Sequence, residues 1–170
     1  MEFFKHLLIK KNLLNNNVFI WNSEKKTINP IQNINTINLD LIVCIERQKK
    51  ILLENTRNFS IGNFTNNALL WGTRGNGKST LIKSVFATLR SEYNNLRLIQ
   101  LKKNNIFDIE KIYQLIGKFS KMRFIIFIDD LSFEKIDSDY KIIKSTLDGS
   151  IQNQPTNIVL YITSNRRHLM

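Results

Sequence analysis

A glycine-rich stretch, LLWGTRGNGKST at residues 69–80, holds the residue types that bind phosphate groups. Three of the six glycines of the chain fall there, and the spacing G-x-x-x-x-G-K-[ST] is matched by Gly72, Gly77, Lys78 and Ser79. Glycines let the backbone curl so that successive N–H groups point into one concavity. The pattern predicts a phosphate-binding loop in which Lys78 reaches the β- and γ-phosphates of a nucleotide and the Ser79 hydroxyl ligates Mg²⁺.

Two carboxylates follow an apolar run that has the length of a buried strand. The run FIIFI at residues 124–128 leads directly into Asp129 and Asp130. Ligands of open parallel sheets bind at the carboxyl ends of the strands, so we expect Asp129 to hold Mg²⁺ beside Ser79. Asp130 is a candidate to activate the attacking water, and Glu134 is the rival base with a longer reach. The plainer alternative is a pair of solvated turn aspartates.

The last apolar run of the chain ends in the polar sequence TSNRR. An amide at Asn165 would lie beside the phosphate site, where it could orient a water against the γ-phosphate. Arg166 and Arg167 could stabilise charge in the transition state, either in the same subunit or in a neighbouring one. The alternative interpretation of this segment is a polar loop with solvated arginines.

The elements that position these side chains follow from the apolar pattern after residue 68. Short apolar runs predict strands at 68–72, 96–101, 124–128 and 157–163. Between them, apolar positions recur at helical spacing over 81–89, 109–119 and 140–147. Strands that alternate with helices imply right-handed crossovers and a parallel sheet covered on both faces, hence an α/β fold.

The residues before this pattern are organised differently. They predict an amphipathic helix near the N-terminus, a short strand at about 18–21 and an extended Asn-rich segment. A further helix is expected from about residue 45 to 58. We therefore expect an N-terminal helix and extended segment over residues 1–40 and a phosphate-loop core over 41–170.

Composition narrows the environment and the partners of the chain. The 170 residues carry a net charge of +11, which favours a polyanion such as nucleic acid as partner, although the basic residues are scattered. The single cysteine, Cys44, excludes an internal disulfide. No apolar run approaches the ~20 residues of a membrane span. Lys5, Lys10 and Lys11 interrupt the first apolar segment, so we expect no signal peptide, no membrane contact and a cytoplasmic location.

Three blocks of sequence resemble a bacterial family of predicted AAA+ superfamily ATPases of unknown biological function. They are IERQKKILLENTRNFSIGNFTNNALLWGTRGNGKSTLIKSVF, FIDDLSFEKID and YITSNRRHLM, in the order and spacing of the family. The resemblance implies a P-loop NTPase three-layer sandwich of AAA+ type, with Walker B at Asp129–Asp130 and a sensor-1 amide at Asn165. It also implies that the Walker A residues contact the nucleotide, namely Gly72, Thr73, Arg74, Gly75, Asn76, Gly77, Lys78, Ser79 and Thr80.

Three features depart from the pattern of that family. In the segment expected to lie against the adenine, Val43 and Ile45 flank Cys44, which stands where glycine is usual. Asp129–Asp130 replaces the usual Asp-Glu pair, which keeps Glu134 open as the base. The sequence ends directly after sensor 1, so we expect the fifth strand and the helical lid to be missing. In the usual strand order 5-1-4-3-2, this leaves the phosphate-loop strand at an edge of the sheet.

The resemblance implies ATP binding with Mg²⁺ and ATP hydrolysis coupled to an unknown conformational task. It also implies self-association through an AAA+ type interface. One alternative is a nucleic-acid-associated module that uses ATP only as a switch, motivated by the net charge of +11. Another is a small-molecule kinase, but the paired aspartates and the terminal TSN favour hydrolysis over transfer.

Overall fold

A six-stranded sheet with helices on both faces organises the protein. The computed structural model describes residues 2–131 and 154–165. The helices are α1 (Glu2–Asn15), α2 (Glu46–Ser60), α3 (Lys78–Glu92) and α4 (Ile109–Ile116). The strands are β1 (Val18–Asn22), β2 (Thr27–Pro30), β3 (Ala68–Trp71), β4 (Leu96–Leu101), β5 (Arg123–Ile128) and β6 (Ile158–Ser164). Short 3₁₀ segments span Leu39–Leu41 and Lys103–Asp108.

The strand order of the sheet is β2-β1-β4-β5-β6-β3. Strand β2 runs antiparallel to β1, and the other neighbouring pairs are parallel. The register pairs Ile128 of β5 with Ile162 of β6, so these two strands end at the same level. In the part of the chain that the structure describes, β3 pairs with β6 alone and lies at an edge, as the expected strand order predicts.

The two faces of the sheet bury separate apolar cores. Strand β5 shows the division, because Phe124 and Ile126 enter one core while Ile125 and Phe127 enter the other. Helices α1 and α4 cover the first core, and α2 and α3 cover the second. A strand buried on both faces needs apolar side chains at every position, which explains the uninterrupted run FIIFI. The predicted three-layer α/β sandwich is therefore confirmed.

Helix α4 is shorter than its sequence pattern predicts. Ile109, Ile112 and Ile116 are buried on one face of this helix, as expected from their spacing. The extension of the helix to Phe119 was wrong, because the helix ends at Ile116 and Gly117 follows as its C-cap. The Phe119 N–H then donates to the Ile116 carbonyl at 3.0 Å in a turn. The helix expected around residues 140–147 lies outside the described residues.

The N-terminal region contributes strands to the same sheet. The predicted helix and the strand near residues 18–21 are confirmed as α1 and β1. Strand β2 was missed, because its sequence TINP lies within an Asn-rich stretch that is typical of a loop. It lies at the edge of the sheet opposite β3, where a proline at the end of the strand is tolerated. The boundary at residue 40 stays a prediction.

Candidate functional site

The glycine-rich loop between β3 and α3 is curled. Gly75 and Gly77 have φ angles of +83° and +77°, a region that is strained for residues with a side chain. A Cβ atom at either position would meet no atom within 4 Å, so backbone conformation rather than crowding explains the glycines. Gly77 is the N-cap of α3, and the first-turn N–H groups of this helix therefore border the loop.

Lys78, the first residue of α3, donates hydrogen bonds to oxygen atoms of the loop. Its ammonium group donates to the carbonyl oxygens of Gly72 and Thr73, at 2.9 and 2.7 Å. It also donates to Oδ1 of Asn76 at 2.8 Å. All three acceptors are uncharged, so they leave the positive charge of the ammonium group available to attract an anion.

The Ser79 hydroxyl donates a hydrogen bond to Oδ1 of Asp129, the first residue after β5. The serine lies in the first turn of α3, and the aspartate lies at the carboxyl end of a central strand. The side chains of both residues are thus brought into direct contact, as the sequence predicts. Their oxygen atoms are suited to a hard cation such as Mg²⁺.

Thr163 near the end of β6 also holds Asp129, and sequence analysis missed it. Its hydroxyl donates to Oδ1 of Asp129 at 2.7 Å and accepts from the Asp130 N–H at 2.9 Å. The residue is buried, with 1% of its surface exposed. A signal existed in the sequence, because Thr163 is a polar residue at the end of an apolar run, two positions before Asn165 and so on the same side of the strand.

Asp130, which follows Asp129, has an unusual backbone conformation. Its φ angle is +52°, in the left-handed region that non-glycine residues seldom adopt. The side-chain amide of Asn165 donates to Oδ1 of Asp130. Strained backbone conformations persist only where the surrounding contacts over-determine them, and they cluster at functional sites. Here Thr163 and Asn165 supply those contacts.

These residues surround a cleft of about 360 Å³. The lining residues are those of the loop and of the strand ends, namely Arg74, Gly75, Asn76, Gly77, Lys78, Ser79, Thr80, Asp129, Asp130, Thr163 and Asn165. Gly72 and Thr73 do not line it, but their carbonyl oxygens hold Lys78. Cationic side chains lie on the loop side, and carboxylates lie at the strand ends.

The segment expected to lie against the adenine is not part of this cleft. Val43 is exposed, Ile45 is half-buried as the N-cap of α2, and neither lines the cleft. Cys44 has a φ angle of +68°, which explains in physical terms why glycine is usual at this position. Glu134, Arg166 and Arg167 lie outside the described residues.

Within residues 2–131 and 154–165, no three His, Cys, Asp or Glu side chains come together as a metal-binding group. None of the helices within these ranges has the length and hydropathy of a membrane span.

The curled loop between β3 and α3 and the acidic end of β5 are features of the P-loop NTPase fold, and the order β4-β5-β6-β3 is that of its AAA+ type. Residues 14–170 match the family described as "Protein of unknown function (DUF815)", and the chain belongs to this family. No curated protein matches the sequence.

Solved structures with the same fold are AAA+ ATPases. PCH-2 of C. elegans is 16% identical at a TM-score of 0.50, over 73% of this chain and 37% of that one. The Orc1 protein of Aeropyrum pernix, solved in complex with DNA, is 17% identical at a TM-score of 0.50, over 76% of this chain and 43% of that one. The chain thus spans less than half the length of these proteins. At these identities, the likeness shows a shared fold.

Proposed function

We propose that this chain binds ATP with Mg²⁺ in the cleft and hydrolyses it. The observation that supports this most directly is the hydrogen bond from the Ser79 hydroxyl to the Asp129 carboxylate beside a curled phosphate loop. The Ser79 hydroxyl and the Asp129 carboxylate fit Mg²⁺, because both are hard oxygen ligands. The loop fits a phosphate group, because it leaves open space at Gly75 and Gly77. Bound Mg²⁺ would neutralise negative charge on the phosphate oxygens.

Lys78 would act by exchanging partners. Its ammonium group lies 2.7–2.9 Å from three uncharged oxygens of the loop. Phosphate oxygens carry negative charge and accept stronger hydrogen bonds than these neutral groups. The exchange would direct the positive charge toward the β- and γ-phosphates, while N–H groups of the loop and of α3 donate to the same anion.

Hydrolysis requires a carboxylate that accepts the proton of the water attacking the γ-phosphorus as ADP departs. Asp130 and Glu134 remain the two candidates for this base. Asn165 would orient the water with its amide, which now donates to the Asp130 carboxylate. Because one amide contacts Asp130, water and base would be positioned together if Asp130 is the base.

Titration of a fluorescent ATP analogue, with and without Mg²⁺, tests the binding part of the proposal. Lys78→Ala should weaken binding about tenfold or more, since a charge-assisted hydrogen bond is worth about 1.5–3 kcal/mol. Lys103→Ala, at an exposed lysine that does not line the cleft, is the matched control. Equal affinity of the Lys78→Ala and wild-type proteins would refute the loop assignment.

Phosphate release at saturating ATP tests the hydrolytic part. If Asp130 is the base, Asp130→Asn should abolish turnover while Glu134→Gln retains it, and the reverse result would assign Glu134. Binding without phosphate release by the wild-type chain would limit the function to nucleotide binding.

A nucleic-acid-associated switch, supported by the net charge of +11, is the second candidate. Its DNA affinity should fall steeply between low and physiological salt. Self-association and a cytoplasmic location stay predictions.

A further inference from the structure

A second cleft lies at the opposite end of the sheet from the phosphate loop. Its volume is about 570 Å³, and its walls include the start of β4 and the turn that leads into β5. The phosphate loop and Asp129 follow the carboxyl ends of β3 and β5, whereas this cleft adjoins the amino ends of the parallel strands. It is therefore separate from the proposed ATP site.

The charged side chains that line this cleft are all basic. Lys10 of α1 and the turn residues Lys118 and Lys121 are exposed, and Arg97 of β4 is buried among them. Among the described residues, the ion pairs are Lys50–Glu54 and one formed by Asp108, and neither reaches the cleft. The positive charge of the cleft is thus not balanced by a carboxylate within the part of the chain that is described.

Arg97 is the deepest of these cations, with 4% of its surface exposed. Its Nε donates to the Leu13 carbonyl at 2.8 Å, and its Nη1 donates to the carbonyls of Asn94 and Leu96 at 2.7 and 2.9 Å. Its Nη2 makes no hydrogen bond to the residues that the structure describes. The guanidinium is buried, its partners are neutral, and the two N–H groups of Nη2 remain as donors. An anion that accepts from Nη2 would be attracted strongly, because burial strengthens the attraction.

Burial, and to a smaller extent the nearby charge of Arg90, lowers the pKa of Arg97 to about 10. The group still carries its positive charge at neutral pH. Arg90 therefore adds positive charge beside Arg97.

Apolar side chains also line the cleft. They are those of Leu14, Phe119 and Met122. One face of the Phe119 ring is already covered by His6, with 5.1 Å between the ring centroids and 10° between the planes. Leu14 is 62% exposed, and it links the cleft to Leu7, which lies two turns earlier on the same side of α1 and is 54% exposed.

This combination selects among anionic partners. A nucleic acid would place phosphates on the lysines and stack bases on aromatic rings, but the aromatic residue that lines the cleft, Phe119, is already stacked on one face by His6. A peptide can supply carboxylates and apolar side chains at adjacent positions. We infer that the cleft binds an acidic peptide segment of a partner protein, with a carboxylate on Arg97 and apolar side chains over Leu14 and Met122.

Fluorescence anisotropy of the full chain tests this inference. The probe is a labelled sixteen-residue peptide that alternates glutamates and leucines at helical spacing, and the control peptide has glutamine at each glutamate. The wild-type chain should bind the acidic peptide at low salt and more weakly as salt increases. The double variant Lys118→Glu/Lys121→Glu should weaken binding at least about tenfold, because two attractions become repulsions.

The matched control is Lys25→Glu/Lys26→Glu, which changes the net charge equally at exposed residues between β1 and β2. This variant should leave the affinity within about twofold, since screening limits the effect of distant charges. Equal weakening by both variants would overturn the inference, as would undetectable binding of the acidic peptide. Tighter binding of single-stranded DNA that Lys118→Glu/Lys121→Glu abolishes would assign the cleft to nucleic acid instead. Concentration-dependent dimerisation lost in the same variant would assign it to a second copy of the chain.

Discussion

Replacement of Thr163 by valine removes the hydroxyl that joins the two aspartates and keeps the shape of the side chain. Thr163 is buried, and its hydroxyl is 2.7 Å from Oδ1 of Asp129 and 2.9 Å from the Asp130 nitrogen. Valine is also well suited to a strand. Any loss of stability in Thr163→Val therefore reports on these two hydrogen bonds and not on packing.

The expected loss follows from the two contacts. A hydrogen bond to a charged carboxylate contributes about 1.5–3 kcal/mol, and a part-buried N–H left without its acceptor costs about 1 kcal/mol. Asp129 retains the hydrogen bond from Ser79, which moderates the loss. We expect the free energy of unfolding to fall by about 2–4 kcal/mol, which lowers Tm by roughly 5–15 °C for a chain of this size.

Urea denaturation followed by circular dichroism measures this loss, with Thr163→Ser as the matched control. Serine keeps the hydroxyl and loses one methyl group, which costs about 1 kcal/mol. Thr163→Val should therefore be less stable than Thr163→Ser, although it buries more apolar surface. A Thr163→Val protein as stable as the wild type or more stable than Thr163→Ser would refute the argument that this hydroxyl holds the two aspartates.

Two further predictions concern positions away from the cleft. Cys44→Gly should raise the free energy of unfolding by about 0.5–1 kcal/mol, because relief of the strained φ of +68° exceeds the entropy cost of glycine; urea midpoints that do not separate Cys44→Gly from Cys44→Ala would contradict this. Burial raises the pKa of Asp108, but hydrogen bonds from Lys111, Ser23 and Trp21 bring it down to about 2. The folded-state pKa thus lies below the unfolded value of about 3.9, so about 2 kcal/mol of stability is present above pH 4 and is lost as the pH falls toward 2. Asp108→Asn should remove this part of the acid dependence. If the free energy of unfolding falls equally steeply between pH 4 and pH 2 in the variant and the wild type, the prediction is wrong.

The phosphate loop could be predicted from sequence because its information is local. Three glycines, a lysine and a serine within a few positions of an apolar strand define its conformation. Asp129 lies fifty residues further along the chain, but the rule that parallel strands carry ligands at their carboxyl ends was enough to pair it with Ser79.

Other features of the site depend on register and backbone angles, which composition does not reveal. Thr163 contacts Asp129 because Ile162 pairs with Ile128, and this register is set by packing on both faces of the sheet. The left-handed conformations of Asp130 and Cys44 could likewise not be predicted from motif spacing, because non-glycine residues seldom adopt them. Strand β2 was missed for a related reason, because its pairing with β1 overrides an unfavourable local sequence.

The polar side chains of the proposed ATP site satisfy one another, and this has a consequence for how it would work. Lys78 is bonded to loop oxygens, Asp129 to Ser79 and Asp130 to Asn165. Binding would therefore be an exchange, in which a ligand atom replaces an internal partner and contributes only the difference between the two interactions. That difference is largest where a neutral acceptor gives way to a charged phosphate, at Lys78, and smaller where one uncharged donor replaces another. Lys78 should thus dominate ATP affinity, whereas Asn165, which must leave the Asp130 carboxylate to reach water, should affect turnover more than binding.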